Sequence, residues 1–331
     1  MKKNIFISCS VSHCIEHWIL KNNLTLLKIN TITTSGKPQP LKYNKKHQLL
    51  YTGETGKNKI ITYQKNLNNQ FRKIHEVKVF NTPNYISLNK KKTMLFCASY
   101  HGNGFNVYTL NACGLICSTT TLVENLKGCH SIRMHYASNL LFASALKENK
   151  IYIYKIKYNK NKKITIILKN IINTASNSGP RHITFHPLRQ YLYSINELNG
   201  TIDVWFINDK LIKLQLIQSI SLMSQSSICS AWSSDIHVHP TGNYLYACDR
   251  ANSIISLFSI DDKQGILLRM YTYQTVLQPR SFNISKDGNI LVIIGELSNS
   301  IKIYYINSNN GYLSEITTQS TGINPLWILI E

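Results

Sequence analysis

The feature that most constrains the fold is a segment that repeats along the chain. Within Gly179–Ile207, two short alternating runs flank a His-Pro turn, and a third run follows the turn at Asn199-Gly200. Alternation with a period of two, ended by Pro, Asn and Gly, is typical of antiparallel strands. The position of Pro180 has six counterparts, at spacings of 45 to 53 residues: Pro38, Pro83, Cys129, Ser233, Pro279 and Pro325. Short strands repeated at this period predict an all-β, seven-bladed β-propeller with one four-stranded sheet per blade.

The two ends of the chain predict how the seventh blade is made. The last repeat stops after one strand, at residues 324–331, whereas residues 4–20 supply a second and a third strand with no first strand before them. We therefore expect the N- and C-terminal strands to pair in one composite blade, which would leave no open sheet edge between blades. The alternation disfavours an all-helical solenoid, and residues 1–331 are predicted to form a single domain.

The charge of the chain is large and positive, with 37 Lys and Arg against 16 Asp and Glu and a net charge of +21. The lysines are grouped in short clusters that we expect to lie in turns and loops: Lys45-Lys46, Lys90–Lys92 and Lys160–Lys163. Nothing in the pattern resembles a DNA- or RNA-binding motif, so we predict a solvated basic surface with only weak attraction to polyanions and no specific nucleic-acid partner. A basic protein would still attract an anionic small substrate.

Other classes of protein are disfavoured by the same sequence. No apolar run is long enough to span a bilayer, and the N-terminal residues lack the cleavage site of a secretion signal, so we expect a cytoplasmic protein without a membrane partner. The eight cysteines form no CxxC pair and are expected to be small buried hydrophobes. His237 and His239 share a strand face, but no third ligand joins them at fixed spacing, so we predict neither a metal nor another cofactor. A monomer is the expected state.

Chemically functional residues are concentrated in the third to sixth blades. In a propeller the first strand of each blade lines the central channel, and the residues after the Pro180-like position should lie near its mouth. Those positions hold His130, Arg181, His182, Asp235 and Arg280, and the loops after the second strands add Glu197, Asp249 and Arg250. Arg181 begins a strand and Glu197 ends the next one, so in an antiparallel pair the two side chains should converge. Asp235 and Asp249 could instead form ion pairs that join adjacent blades.

The same segments resemble a known family. KGCHSIRM (127–134), SGPRHITFHP (178–187), YLYSINELNGTIDVW (191–205) and QPRSFNISKDG (278–288) are similar to segments of the bacterial propeller-type 6-phosphogluconolactonases, relatives of the fungal carboxy-muconate lactonising enzymes. The resemblance implies hydrolysis of a sugar-phosphate lactone, 6-phospho-D-glucono-1,5-lactone. It also implies a site made of His130, Arg181 and Glu197, with Arg250 and Arg280 as additional cations.

The residue types suggest how such a lactone would be opened. A carboxylate or imidazole can deprotonate the attacking water, a part that either Glu197 or His130 could take. Arg181 is planar and permanently charged, so it suits either the oxyanion or the phosphate. We expect Arg250 and Arg280, with His182, to hold the 6-phosphate, and Asp235 and Asp249 to belong to the same substrate-binding set. A muconate cycloisomerase and a non-catalytic interaction platform remain alternatives, because the fold alone does not decide function.

Overall fold

The computed structural model describes residues 2–158, 164–223 and 229–331, with the backbone alone at 118–120 and 158. Within these residues the chain forms 28 strands and one short 3₁₀ turn at Leu146–Glu148. The first nine strands are β1 (Lys3–Cys9), β2 (Cys14–Leu20), β3 (Leu26–Thr33), β4 (Lys37–Asn44), β5 (Leu49–Thr55), β6 (Lys59–Lys65), β7 (Phe71–Lys78), β8 (Tyr85–Leu88) and β9 (Met94–Ser99). The next nine are β10 (Gly104–Leu110), β11 (Ile116–Val123), β12 (Cys129–His135), β13 (Leu140–Ala145), β14 (Lys150–Tyr158), β15 (Ile164–Asn173), β16 (Pro180–Phe185), β17 (Tyr191–Asn196) and β18 (Thr201–Asn208). The last ten are β19 (Lys213–Ser221), β20 (Ser233–Val238), β21 (Tyr244–Asp249), β22 (Ile254–Ile260), β23 (Leu267–Gln274), β24 (Pro279–Ile284), β25 (Ile290–Gly295), β26 (Ser300–Ile306), β27 (Leu313–Ser320) and β28 (Pro325–Ile330).

These strands form seven four-stranded sheets, as predicted. Six sheets are made of four consecutive strands each, from β4–β7 (blade 1) to β24–β27 (blade 6). In the seventh the order is β28-β1-β2-β3, so the C-terminal strand is the first strand of the N-terminal sheet (blade 7). Strand β28 runs antiparallel to β1, with Ile328 opposite Ile7 and Ile330 opposite Ile5. The predicted composite blade is therefore confirmed.

The chain divides into two compact units. One contains Met1–Thr33, Arg181–Ile207 and Leu214–Glu331, and the other contains Thr34–Pro180 and Asn208–Lys213. The first holds nearly all of blades 4 to 7 and the second holds blades 1 to 3. That the whole chain is one domain stays a prediction.

Adjacent sheets within a unit are joined by a repeated tyrosine contact. Three tyrosine hydroxyls on second strands donate to a glycine carbonyl in the following sheet: Tyr51 to Gly114 (2.5 Å), Tyr193 to Gly265 (3.0 Å) and Tyr246 to Gly311 (2.6 Å). Gly265 has φ +68°, and a Cβ there would lie 2.6 Å from the ring of Tyr191. Glycine is therefore required at this turn both for its backbone angle and for the close approach of the ring.

Two predictions about surface and core are refined by the structure. Lys45-Lys46 and Lys90–Lys92 lie in turns, whereas Lys160–Lys163 falls outside the described residues. The expectation that all the cysteines are buried is wrong, because Cys113, Cys117 and Cys229 are exposed while the other five are buried. The exposed three lie outside the central strands, where the alternation that predicts burial does not apply.

Candidate functional site

At the centre of the site, one carboxylate oxygen binds two buried guanidinium groups. Arg181 is the second residue of β16 and Glu197 directly follows β17, and antiparallel pairing brings these strand ends together. Nε of Arg181 lies 2.8 Å from Oε2 of Glu197, and Nη2 of Arg250 lies 3.0 Å from the same oxygen. The arginine side chains are each 3% exposed, whereas Glu197 is 16% exposed. Glu197 thus reaches solvent from between two cations.

Arg250 is held in place by the loop that precedes β20. Its Nε donates to the carbonyl of Trp232 (3.2 Å) and its Nη2 to that of Ser233 (3.4 Å). Its guanidinium carbon lies 3.9 Å from the centroid of the Trp232 ring, in cation–π geometry. Burial, and then the charge of Arg181, lower the pKa of Arg250 to about 9, so the group is still protonated at neutral pH.

On its other side Arg181 meets a histidine–aspartate pair. Nη1 of Arg181 lies 3.2 Å from Nε2 of His182, and Nδ1 of His182 lies 2.8 Å from Oδ1 of Asp235. Nη1 also donates to the carbonyl of Ser234. Burial, and then the neighbouring Arg181, lower the pKa of His182 to about 4, so the imidazole is neutral at pH 7.

Asp235 is an internal anion with several partners. Its oxygens accept hydrogen bonds from four further groups: the backbone N–H of Ile236 (3.0 Å), the backbone N–H of Phe282 (3.2 Å), the hydroxyl of Ser281 (3.1 Å) and Nε2 of His237 (3.3 Å). Burial alone would raise the pKa of Asp235, but the interactions with His237 and His182 outweigh it and hold that pKa well below the usual range. Asp235 is thus ionised in the interior of its unit.

Blade 6 repeats the arginine–glutamate arrangement of blade 4 in a more open form. Arg280 is the second residue of β24 and Glu296 directly follows β25, and Nη1 of Arg280 lies 3.0 Å from Oε2 of Glu296. These side chains are 23% and 18% exposed. Nδ2 of Asn324 donates to Oε1 of Glu296 (3.2 Å), which fixes the carboxylate. The charge of Arg280 acts on both Arg181 and Arg250, so the three cations form one cluster.

The structure gives Asp249 contacts within its own sheet. Oδ2 accepts from the N–H of Trp232 (2.8 Å) and the hydroxyl of Ser233 (3.0 Å), and Oδ1 accepts from the N–H of Asn252 (3.0 Å). Asp249 is fully buried. Its carboxylate therefore orders the loop whose carbonyls hold Arg250, and a contact with substrate stays a prediction.

His130 belongs to the other unit, where it is the second residue of β12. It is partly exposed, and its ring centroid lies 5.7 Å from that of Tyr100. The preceding residue, Cys129, is fully buried, and burial raises the pKa of its thiol, which disfavours a nucleophilic role.

Of the predicted residues, Arg181, Glu197 and Arg250 are in direct contact, and His182 and Asp235 adjoin them. The sequence argument did not identify Trp232, and it considered His237 only as a metal ligand and not as a partner of Asp235. His237 could have been found, because side chains two residues apart on a strand share a face, which places it beside Asp235. Trp232 precedes its strand in a loop, where no periodic pattern indicates its direction.

In the described ranges no group of three or more His, Cys, Asp and Glu side chains could hold a metal ion. No helix in these ranges is long and apolar enough to cross a membrane.

Seven four-stranded sheets, with the C-terminal strand as the first strand of the N-terminal sheet, define a seven-bladed β-propeller. A model of the family described as "Lactonase, 7-bladed beta-propeller" matches residues 5–330. The chain therefore belongs to the seven-bladed β-propeller lactonase family. The predicted fold class is confirmed.

Individual relatives agree with this assignment. The 6-phosphogluconolactonase of Buchnera aphidicola subsp. Acyrthosiphon pisum (strain APS) is 43% identical over 333 residues, covering 100% of this chain and 99% of the relative. The 6-phosphogluconolactonase of Blochmanniella floridana is 36% identical, covering 98% and 97%. Among solved structures, the periplasmic gluconolactonase PpgL of Pseudomonas aeruginosa has a TM-score of 0.90 at 17% identity, covering 100% of this chain and 99% of that one. At that identity the likeness shows the fold alone.

Proposed function

We propose that the chain is a 6-phosphogluconolactonase, which hydrolyses 6-phospho-D-glucono-1,5-lactone to 6-phospho-D-gluconate. The observation that carries the proposal is whole-length identity of 43% to a relative of that name. The reaction is the one implied by the resemblance of the sequence, and it belongs to the oxidative pentose phosphate pathway. The proposed substrate is an anion, which suits a chain of net charge +21.

The chemistry of lactone opening assigns a part to Glu197. Its carboxylate, which reaches solvent, takes a proton from a water molecule while the water oxygen adds to the carbonyl carbon. The carbonyl oxygen becomes an oxyanion, and a guanidinium N–H of Arg181 stabilises it. When the intermediate collapses, the bond between that carbon and the ring oxygen breaks, and the ring oxygen takes the proton back from Glu197. His130 is the alternative base.

The contacts of Arg250 and Arg280 suggest which of the two meets the phosphate. Arg250 is bound to Glu197 and to the loop carbonyls, which favours a supporting part. Arg280 is 23% exposed, and its ion pair with Glu296 uses Nη1 alone. The remaining N–H groups of Arg280 suit a phosphate, which planar guanidinium groups bind well. We therefore propose Arg280 as the main residue that binds the 6-phosphate.

The test is a lactonase assay of the purified protein, measured against spontaneous hydrolysis of each substrate. The phosphorylated lactone should be hydrolysed well above its spontaneous rate, and glucono-1,5-lactone without the phosphate should be a much poorer substrate. Turnover of a muconate in place of the phosphorylated lactone would favour the cycloisomerase. No acceleration with any lactone would overturn the proposal and favour an interaction platform.

The compartment and the oligomeric state stay predictions. We expect a cytoplasmic monomer with no specific nucleic-acid partner. Cell fractionation and sedimentation would test these expectations directly.

A further inference from the structure

Three side chains of the site form a continuous line of contacts that ends at the proposed base. Asp235 contacts His182 (2.8 Å), His182 contacts Arg181 (3.2 Å), and Arg181 contacts Glu197 (2.8 Å). The first three side chains are almost fully buried, whereas Glu197 reaches solvent. Both ring nitrogens of His182 and both oxygens of Asp235 already contact protein groups, so a substrate phosphate would have to displace these groups to touch either side chain.

The proton positions in this line follow from the residue types. A guanidinium group can only donate hydrogen bonds, so Nε2 of His182 must accept from Arg181 and carries no proton. The proton of the neutral ring is then on Nδ1, where it is donated to Asp235. Asp235 itself cannot turn away, because two backbone N–H groups and the hydroxyl of Ser281 bind its oxygens. Each contact thus determines the orientation of the next.

We infer that His182 and Asp235 are positioning residues, which orient the guanidinium of Arg181 toward Glu197 and the reacting carbonyl and do not bind the phosphate. An arginine side chain has many accessible rotamers, so without such support it would spend much of its time in other orientations. This inference rests on the proposed function, since the reaction supplies its readout.

The first experiment measures steady-state kinetics of His182→Phe and Asp235→Asn with the phosphorylated lactone. Phe keeps the ring and removes both hydrogen bonds. In Asp235→Asn the NH2 group can take either oxygen position. It then either donates to Nδ1 of His182, which forces the wrong tautomer of that ring, or faces the backbone N–H of Phe282, which is also a donor. We expect kcat to fall at least tenfold in both variants, with KM changed less than threefold. A rise in KM with kcat kept would mean that these residues bind the phosphate, and it would overturn the inference.

A variant of Arg181 separates a positioning role from a merely structural one. Arg181→Lys removes the planar group that His182 orients, so His182→Phe added to it should lower kcat by less than twofold further. If His182→Phe costs the same factor in both backgrounds, it does not act through Arg181 and the inference is wrong. The matched control is His186→Phe, directly after the same strand, whose buried ring instead contacts the carbonyl of Gly242 (3.1 Å). It should keep kcat even if it lowers the melting temperature.

A measurement on the unaltered protein keeps the inference testable if the variants do not fold. Nitrogen-15 NMR of the histidine rings should show His182 as neutral at pH 7, with the proton on Nδ1 and none on Nε2. The opposite tautomer, or a doubly protonated ring, would refute the line of contacts.

The activity of the wild-type protein is measured first. Failure of the wild type to hydrolyse the lactone counts against the proposed function, whereas failure of the kinetic or NMR expectations in an active enzyme counts against the positioning role alone.

Discussion

At the scale of single residues, a single carboxylate at the site neutralises two buried arginines. Oε2 of Glu197 serves both Arg181 and Arg250, each 3% exposed. Removing one partner from a buried ion pair is costly, because the charge left behind has no counterion and little water. A substitution at Glu197 therefore tests catalysis and stability at once, and the two have to be measured separately.

Glu197→Gln should lower kcat by about 100-fold or more if Glu197 is the general base. The amide has nearly the same shape but cannot take the proton from water. It also leaves Arg181 and Arg250 without their anion, so the free energy of unfolding should fall by about 3–5 kcal/mol. Rates measured at a temperature where the variant is folded separate these effects. Near-full activity would transfer the role of base to His130, for which His130→Asn is the corresponding test.

The matched control for this substitution is Glu16→Gln in blade 7. Glu16 is also a buried carboxylate, and its oxygens bind Lys28 (3.1 Å) and the indole N–H of Trp18 (3.0 Å). We expect this variant to lose stability while its kcat stays within about threefold of wild type. A large loss of kcat here would show that destabilisation alone explains the effect at Glu197.

Arg280→Ala should mainly raise KM for the phosphorylated lactone. A hydrogen bond to a charged group contributes about 1.5–3 kcal/mol, which corresponds to a rise of about 10- to 100-fold in KM. Discrimination between lactones with and without the phosphate should shrink by the same factor. The control is Arg189→Ala, because Arg189 is 42% exposed and pairs with Asp262 at the other end of β16. If kcat falls and KM does not change, Arg280 serves the reacting carbonyl and not the phosphate.

At the scale of elements, blade 7 depends on a strand that comes from the opposite end of the chain. Ile328 and Ile330 of β28 are 1% and 2% exposed and pack in one cluster with Ile5, Ile7 and residues of blade 6. Without β28, the row of N–H and C=O groups on β1 would have no partner strand, and an open edge favours aggregation. The last residues of the chain are therefore a part of the core and not a free tail.

Ile328→Ala should lower the free energy of unfolding by about 2–5 kcal/mol, because it removes buried methyl groups and leaves a cavity. Ile323→Ala is the matched control, since the same residue type five positions earlier is 55% exposed. It should change stability by less than about 0.5 kcal/mol. Urea denaturation of both variants measures the difference. Equal effects would show that β28 adds little to the core.

At the scale of the whole molecule, the positive net charge and the buried histidines both lower the stability of the fold as the pH falls. The net charge is already +21, and protonation of histidines would add to the repulsion. Burial lowers the pKa of four histidines: His135, His182, His186 and His239. Because a folded-state pKa below the unfolded value means that the unfolded chain binds more protons, stability rises with pH in the intervening range.

The protein should therefore lose stability in mild acid. The contribution of the neutral His182 ring to the free energy of unfolding is complete above about pH 6.5. It is lost as the pH falls toward the folded-state pKa of about 4. At pH 5 its loss amounts to about 2 kcal/mol, and the other three histidines add to it. Urea titrations at pH 7 and pH 5 measure the difference. His239→Gln should reduce the fall, whereas His13→Gln, at an exposed position, should leave it in place. Constant stability between pH 7 and pH 5 would contradict the burial of these rings.

Most of the fold could be predicted from periodicity. The alternation and the Pro, Asn and Gly positions placed the first three strands of the repeat at 179–207 within β16, β17 and β18. The fourth strands were inferred only from the fold class. In β19 (Lys213–Ser221) six of the nine residues are exposed, so its composition is not constrained enough to mark its ends. The exposed cysteines were mispredicted because burial outside the central strands is not periodic.

What the sequence determined by itself was local: strand positions, turns, and the fact that Arg181 and Glu197 come at neighbouring strand ends. Antiparallel pairing makes these follow from chain order. Only the tertiary structure decided the partners that come from other sheets, such as Asp235 for His182 and the Trp232 loop for Arg250. These contacts depend on how separate sheets pack, and that packing arises from many weak apolar contacts that no single residue spacing encodes. The packing of the sheets also decided that Arg181 and Arg250 are buried whereas Arg280 reaches solvent.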